Sequence, residues 1–147
     1  MTKRVLIVED EIFVALEIED IVTSASLTVS AIAADSAAAL RAAPESDIAL
    51  VDLNLRDGAT GPGIGQVLAE RYGIKVIYVT ANPSQIGSAS AAALGVITKP
   101  FRSSTIKAAL ALASQDNDNE ELDYAAIAGF TPFLPRLGSL RGSEYSE

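Results

Sequence analysis

The chain has no cysteine and no histidine. The first absence removes any disulfide framework, thiolate zinc site or cysteine nucleophile. The second removes the commonest general base and metal ligand. Basic residues are also scarce, 11 against 19 acids, for a formal net charge of −8. A chain with so few cations, spread along its length, has no basic face for a phosphate backbone, so nucleic acid is not an expected partner. No apolar run approaches the roughly 18 residues that a membrane span needs. The short run Val5 to Val8 ends in acids and is not a signal-peptide core. These exclusions leave a soluble, cytoplasmic protein with no membrane contact, whose chemistry rests on carboxylates, hydroxyls, lysine and an oxygen-bound metal.

What is present is an alternation. A length of 147 residues suits one domain and a tail. Arg4 to Val8 is a short β-branched run of the kind buried on both faces of a sheet. Ile12 to Thr23 repeats apolar residues at helical spacing, Val14, Ile18, Ile21 and Val22, between acids. Leu27 to Ala33 predicts a second strand, and Ser36 to Ala43 an alanine-rich helix that Pro44 helps to end. Residues 48–55 predict a third strand, followed by the glycine-rich stretch RDGATGPG and a helix from about Ile64 to Tyr72, stopped by Gly73. Residues 75–80 predict a fourth strand, 84–94 a weak Ala/Ser/Gly helix, 95–98 a fifth strand and 103–113 a last helix. Five strands alternating with five helices predict a doubly wound α/β fold, a five-stranded parallel sheet with helices on both faces.

In such sheets the site lies at the carboxyl ends of the strands, at the topological switch point. Here the first strand ends at Glu9 and Asp10, the third at Asp52, the fourth at Thr80 and the fifth at Lys99. One acid after a strand is ordinarily a helix cap or turn residue. Five polar groups at consecutive strand ends are poorly explained that way, because Glu9, Asp10 and Asp52 would raise one another's pKa without a counter-charge. Lys99 and a divalent cation supply it, and a donor set of oxygens selects Mg2+. A carboxylate nucleophile, a metal and an ammonium for the phosphoryl oxygens, and a hydroxyl as hydrogen-bond donor together suit phosphoryl transfer.

The segments LIVEDE, LVDLNL, YVTA and TKPF, in this order over residues 4 to about 113, resemble the receiver domain of two-component response regulators, CheY-like and flavodoxin-like in fold. The wording VEDE, DLNLRDG, TANP and TKPF is most similar to receivers of alphaproteobacterial stress and light signalling. The resemblance implies that Asp52 is the phosphoryl acceptor and that Glu9 and Asp10 help it hold Mg2+ with the backbone carbonyl of Asn54. It implies that Lys99 pairs with the phosphoryl group, that Thr80 is the switch hydroxyl, and that Lys99–Pro100 is a cis peptide. Asn54 and Asn82 occupy positions that tune acyl-phosphate hydrolysis in the family, and Ala81 one that gates access to the aspartyl group. One departure stands out: the family often has an aromatic residue three before the lysine, and here it is Val96. Tyr78, on the same side of its strand as Thr80, is the candidate substitute, with ordinary strand packing the competing reading.

With no histidine in the chain, the donor is expected to be a separate histidine kinase or histidine phosphotransfer protein. Ile12 and Phe13, with Pro100 and Phe101, are the candidate docking residues, whereas Val14 reads as core. The division expected is a receiver over 1–115 and, over 116–147, an acidic linker followed by a tail whose Pro132 and Pro135 exclude a regular helix. Phe130, Phe133, Leu134, Leu137 and Leu140 make that tail too apolar for a fully disordered one, so it is expected to pack on the domain, a homodimer mate or a partner. The function expected is a stand-alone phosphoryl-accepting switch rather than an enzyme, acting through a partner protein or dimer. The alternatives are a phosphate sink and a degenerate receiver that binds regardless of phosphorylation. A haloacid-dehalogenase-type phosphatase would need a second Asp where Asn54 stands. A flavodoxin-like cofactor binder would need Ser/Thr/Gly loops where these are acidic.

Overall fold

Strand β1 (Arg4–Val8) is sealed from solvent at every residue after Arg4, and β3 (Ile48–Val51) throughout. The computed structural model describes residues 2–115 and 126–133. Burial on both faces is what a β-branched run without polar alternation requires, and it places these strands in the middle of the sheet. The strand β2 (Thr28–Ala33), only partly buried along most of its length, lies at one edge. With β4 (Lys75–Thr80), β5 (Gly95–Thr98) and β6 (Phe130–Pro132) the order is β2-β1-β3-β4-β5-β6. The first five strands run parallel, as expected, and the sixth is antiparallel.

The strand period of two sorts the core into two layers. Val5, Ile7, Ile48, Leu50, Ile77, Val79 and Ile97 face α1 (Ile12–Ser24) and α4 (Ser103–Ala113). Leu6, Val8, Ala49, Val51, Val76, Tyr78 and Val96 face the side of α2 (Ser36–Ala42) and α3 (Gly61–Tyr72). Asp35 caps α2, its side chain accepting from the Ala38 N–H. Pro62 sits in the first turn of α3, where its missing N–H costs nothing, so that helix begins earlier than the apolar pattern predicts. Gly73, at φ 66°, ends it in the left-handed region.

Three expectations are corrected. The third strand stops at Val51 rather than at residue 55, because the backbone turns at Asp52 and a Leu55–Gly58 bridge closes the loop on itself. The fourth helix, expected over 84–94, is not an α-helix. It is a pair of 3₁₀ turns, Pro83–Gln85 and Gly87–Ala92, held by bonds such as Ile86 N–H to Pro83 O and Ala93 N–H to Ser90 O. With Gly87 at φ 58° and only Ile86, Ala89 and Ala93 buried, this segment lacks the apolar stripe that sustains longer helices. Finally, the sheet extends past residue 115: residues 130–132 pair with β5. Leu134, Leu137 and Leu140 lie outside the described residues.

Candidate functional site

The acids reach one edge of the sheet because the ladders end just before them. The Asp52 N–H donates to Val8 O at 2.9 Å and the Glu9 N–H to Ala33 O at 2.9 Å, so both residues leave the sheet in register. The Lys99 N–H donates to Thr80 O at 2.9 Å and brings the lysine to the same edge. Carboxylate oxygens of Glu9, Asp10 and Asp52 then lie within 4.8 Å of one another. Glu9 is 3% exposed and Asp52 9%, whereas Asp10 faces solvent.

Lys99 bridges the buried pair. Its Nζ donates to Glu9 Oε1 at 2.8 Å and to Asp52 Oδ2 at 2.9 Å. The other oxygens are used as well: Asp52 Oδ1 accepts from the Leu53 N–H at 2.7 Å, and Glu9 Oε2 from the Glu11 N–H at 3.1 Å. Burial pushes the Glu9 carboxyl above its ordinary pKa, with Lys99 pulling the other way. Burial also works against the Lys99 ammonium, but its bonds to Glu9 and Asp52 outweigh that and raise its pKa. The site therefore holds a charged lysine between two carboxylates, one of them reluctant to ionise. Three hard oxygen donors with an exposed member, Asp10, fit a hard divalent ion such as Mg2+ and not a soft one.

Thr80 is fully buried, and its Oγ1 accepts from the Asn82 N–H at 3.1 Å, so the hydroxyl is tied to its own loop rather than to Asp52. Asn54 and Ala81 are exposed beside the site. The Asn54 side chain donates to Gln85 Oε1 at 3.0 Å, joining the loops after β3 and β4. Tyr78 is fully buried opposite Val96 in the ladder. Its hydroxyl donates toward Pro62 O at 3.3 Å and Ala89 O at 3.5 Å, and burial pushes its pKa up to about 12. A side chain at Gly65 would strike that ring, so Gly65 is what lets Tyr78 wedge between α3 and the 3₁₀ turns. Gly61 has a parallel role: a Cβ there would run into the backbone of Asp52 and Leu53. The start of α3 is thereby pressed against the loop that follows β3.

Lys99–Pro100 is a cis peptide. Ile12 and Phe13 are 56% and 82% exposed at the start of α1, beside the acids, while Phe101 is half-buried against the α1/α4 layer and Val14 packs there too. Sequence reasoning missed the brace formed by Arg56. Its guanidinium pairs with Asp35 at 2.7 Å and holds that carboxyl below its usual range. Asp57, which accepts from Thr60 Oγ1 at 2.7 Å and from the Ser36 N–H, is lowered likewise. Together these bonds pin the loop between β3 and α3 to the start of α2. The signal for them was only RDG, ordinary turn wording. Gln85 and Gly61 carried no local signal at all.

The comparisons with known proteins agree with this architecture. The phyllosphere-induced regulator PhyR of Methylorubrum extorquens is 30% identical over 118 residues, covering 77% of this chain and 44% of that protein. The solution structure of the PhyR response regulator receiver domain of Erythrobacter litoralis superposes with a TM-score of 0.71 at 28% identity, covering 78% of this chain and 93% of that one. The anti-anti-sigma factor PhyR of Bartonella quintana superposes with a TM-score of 0.66 at 28% identity, covering 77% and 47%. The chain thus spans under half the length of the M. extorquens and B. quintana proteins. The family model for the response regulator receiver domain matches residues 5–111, and the chain belongs to that family of two-component signalling proteins.

Proposed function

We propose that this chain is a phosphoryl-accepting switch with Asp52 as the acceptor, and that it signals by a conformational shift to a protein partner or a second copy. The observation that carries the reading is the pair of 2.8 and 2.9 Å bonds from Lys99 Nζ to Glu9 and Asp52, with the Asp10 carboxylate in the same cluster. An ammonium already seated on the acceptor oxygen is positioned to pair with a phosphoryl group added there.

In the step proposed, an Asp52 carboxylate oxygen bonds to phosphorus as the phosphorus–nitrogen bond of a phosphohistidine donor breaks and the imidazole leaves. Glu9, Asp10, Asp52 and the Asn54 carbonyl would hold Mg2+, which when bound supplies positive charge to the phosphoryl oxygens. Lys99 moves its bond from Asp52 to the phosphoryl group, and the Thr80 hydroxyl, whose oxygen accepts from the Asn82 N–H, donates its proton to a phosphoryl oxygen in a hydrogen bond. Asn54, Ala81 and Asn82 set water access to the acyl phosphate. The donor is a histidine kinase or phosphotransfer protein that docks on Ile12, Phe13 and Phe101; the exposure of the first two supports this. Among the described residues no helix is long and apolar enough to cross a membrane, which is consistent with a cytoplasmic site of action.

The test is intact mass after incubation with Mg2+ and acetyl phosphate, for the natural chain and for Asp52→Asn. One added phosphoryl group, absent in Asp52→Asn, is the result expected. Equal labelling of both chains, or none of either, would overturn the assignment.

A further inference from the structure

Residues 126–133 are not a passive tail end. Ladder pairs Gly95↔Pro132, Val96↔Thr131 and Ile97↔Phe130 cover the edge of β5, and the Phe133 N–H adds a bond to Leu94 O at 3.0 Å. The segment straddles that edge: Phe130 enters the α1/α4 layer and Phe133 packs on the α2/α3 layer.

Its seat is prepared by residues of the domain. At Gly95 the three atoms nearest to an added Cβ all belong to this segment, two from the Phe130 ring and the Thr131 carbonyl oxygen. The missing side chain at Gly95 therefore leaves the room that the Phe130 ring and the Thr131 carbonyl take. Thr105 Oγ1, buried in the first turn of α4, donates to Ala128 O at 2.8 Å, and Gly129 at φ +88° turns the backbone against that threonine. The hold is nevertheless short: a three-residue strand that includes a proline, with no donor from Pro132, belongs to the low end of local stability.

The attachment points bracket the site. The strap touches β5 at Gly95–Ile97 and α4 at Thr105, and Lys99, which bridges Glu9 and Asp52, lies on the short link between them. We propose that residues 126–133 are a regulatory strap, released from the β5 edge when Asp52 is phosphorylated, and that the docked strap in turn opposes phosphorylation. The inference rests on the receiver reading above. Once Lys99 exchanges Asp52 for a phosphoryl group, the link to β5 and α4 shifts, and the two surfaces that clamp the strap no longer match it. Because coupling is reciprocal, removing the strap favours the phosphorylated form by the same factor. Release bares the β5 backbone and the slot over Gly95, a surface suited to an extended segment carrying an aromatic side chain.

Gly95→Val tests this in the full chain, since a side chain there evicts Phe130 while suiting a strand. Phe130→Ala empties the same seat without touching β5. Amide exchange over 126–133 is followed with Mg2+, with and without acetyl phosphate, alongside intact mass. The expected result is strap exchange about fivefold or more faster in the phosphorylated natural chain. Both variants are expected to exchange fast without donor and, at equilibrium with the same acetyl phosphate and acetate concentrations, to hold a larger phosphorylated fraction than the natural chain. A phosphorylated natural chain with unchanged strap exchange overturns the coupling and leaves the acceptor assignment standing. Variants with a free strap but an unchanged phosphorylated fraction at equilibrium also overturn it. No phosphoryl group on any of the three chains sinks the acceptor assignment and the coupling together, and the mass spectrum distinguishes that case.

Discussion

From β1 to β4 every crossover contains an α-helix seated on the apolar rows of the sheet, whereas from β4 to β5 the connection is a pair of 3₁₀ turns and the outer edge is closed by a three-residue strand. The first region carries the acids Glu9, Asp10 and Asp52 and, at the end of β4, the buried Thr80; the second carries Lys99. Glu9 and Asp52 thus sit buried where the core holds backbone and side chain, with Asp10 beside them facing solvent. Their counter-charge, Lys99, follows a strand reached through the 3₁₀ turns, where only Ile86, Ala89 and Ala93 are buried. A site divided in this way would keep the geometry at Asp52 while the side carrying Lys99 adjusts, as the proposed switch needs.

Truncation sharpens the comparison most. Leu6→Ala, in a fully buried position of β1, is expected to cost about 2–5 kcal/mol in denaturant unfolding. Ile86→Ala, between the 3₁₀ turns, is expected to fall clearly below that range; equal losses would erase the distinction between the regions. Next comes Gly61→Ala. The atoms its Cβ meets are the Asp52 and Leu53 backbone, which cannot yield without moving the proposed acceptor, so a loss of about 3 kcal/mol is expected in thermal unfolding. A fall in acetyl-phosphate labelling should accompany it.

Tyr78→Phe is a smaller probe, removing the hydroxyl that joins Pro62 to Ala89 at an expected cost of about 1 kcal/mol. Its pH dependence gives a second readout. Because the folded-state pKa is raised to about 12 from 10.0, the protonated phenol's contribution is fully present below pH 10 and is lost as pH rises through 12. Stability of Tyr78→Phe should therefore fall less steeply over that alkaline interval than that of the natural chain. The smallest effect belongs to Asn54→Ala, which breaks an exposed bond to Gln85 and should alter stability by no more than about 0.5 kcal/mol. It should nonetheless speed amide exchange in the turn Pro83–Gln85; unchanged exchange would show that the two loops are not joined through this pair.

How far the sequence could be read depended on the range of the interaction. The β1 and β3 runs declare their burial through uninterrupted apolar residues, and the acids that follow them declare an edge. The segment 84–94 misled because its alanines have high helix propensity while its buried residues are too few to sustain an α-helix. Arg56 looked like a turn residue because its partner, Asp35, lies on another loop. Tyr78 was placed on the Thr80 side of its strand by alternation, but its seat against Gly65 depends on how closely α3 approaches.

By itself, the sequence determined the parallel α/β order, the gathering of Glu9, Asp10, Asp52, Thr80 and Lys99 at one edge, and the restriction to oxygen and ammonium chemistry. Each follows from periodicity between near neighbours or from residue types that are simply missing. Tertiary structure alone decided that Lys99 bridges Glu9 and Asp52, that the Thr80 hydroxyl turns to Asn82, and that Phe130 closes the β5 edge over Gly95. Those outcomes pair residues far apart in the chain or select among hydrogen-bond partners. They depend on which edge, donor and vacant space the folded sheet leaves available.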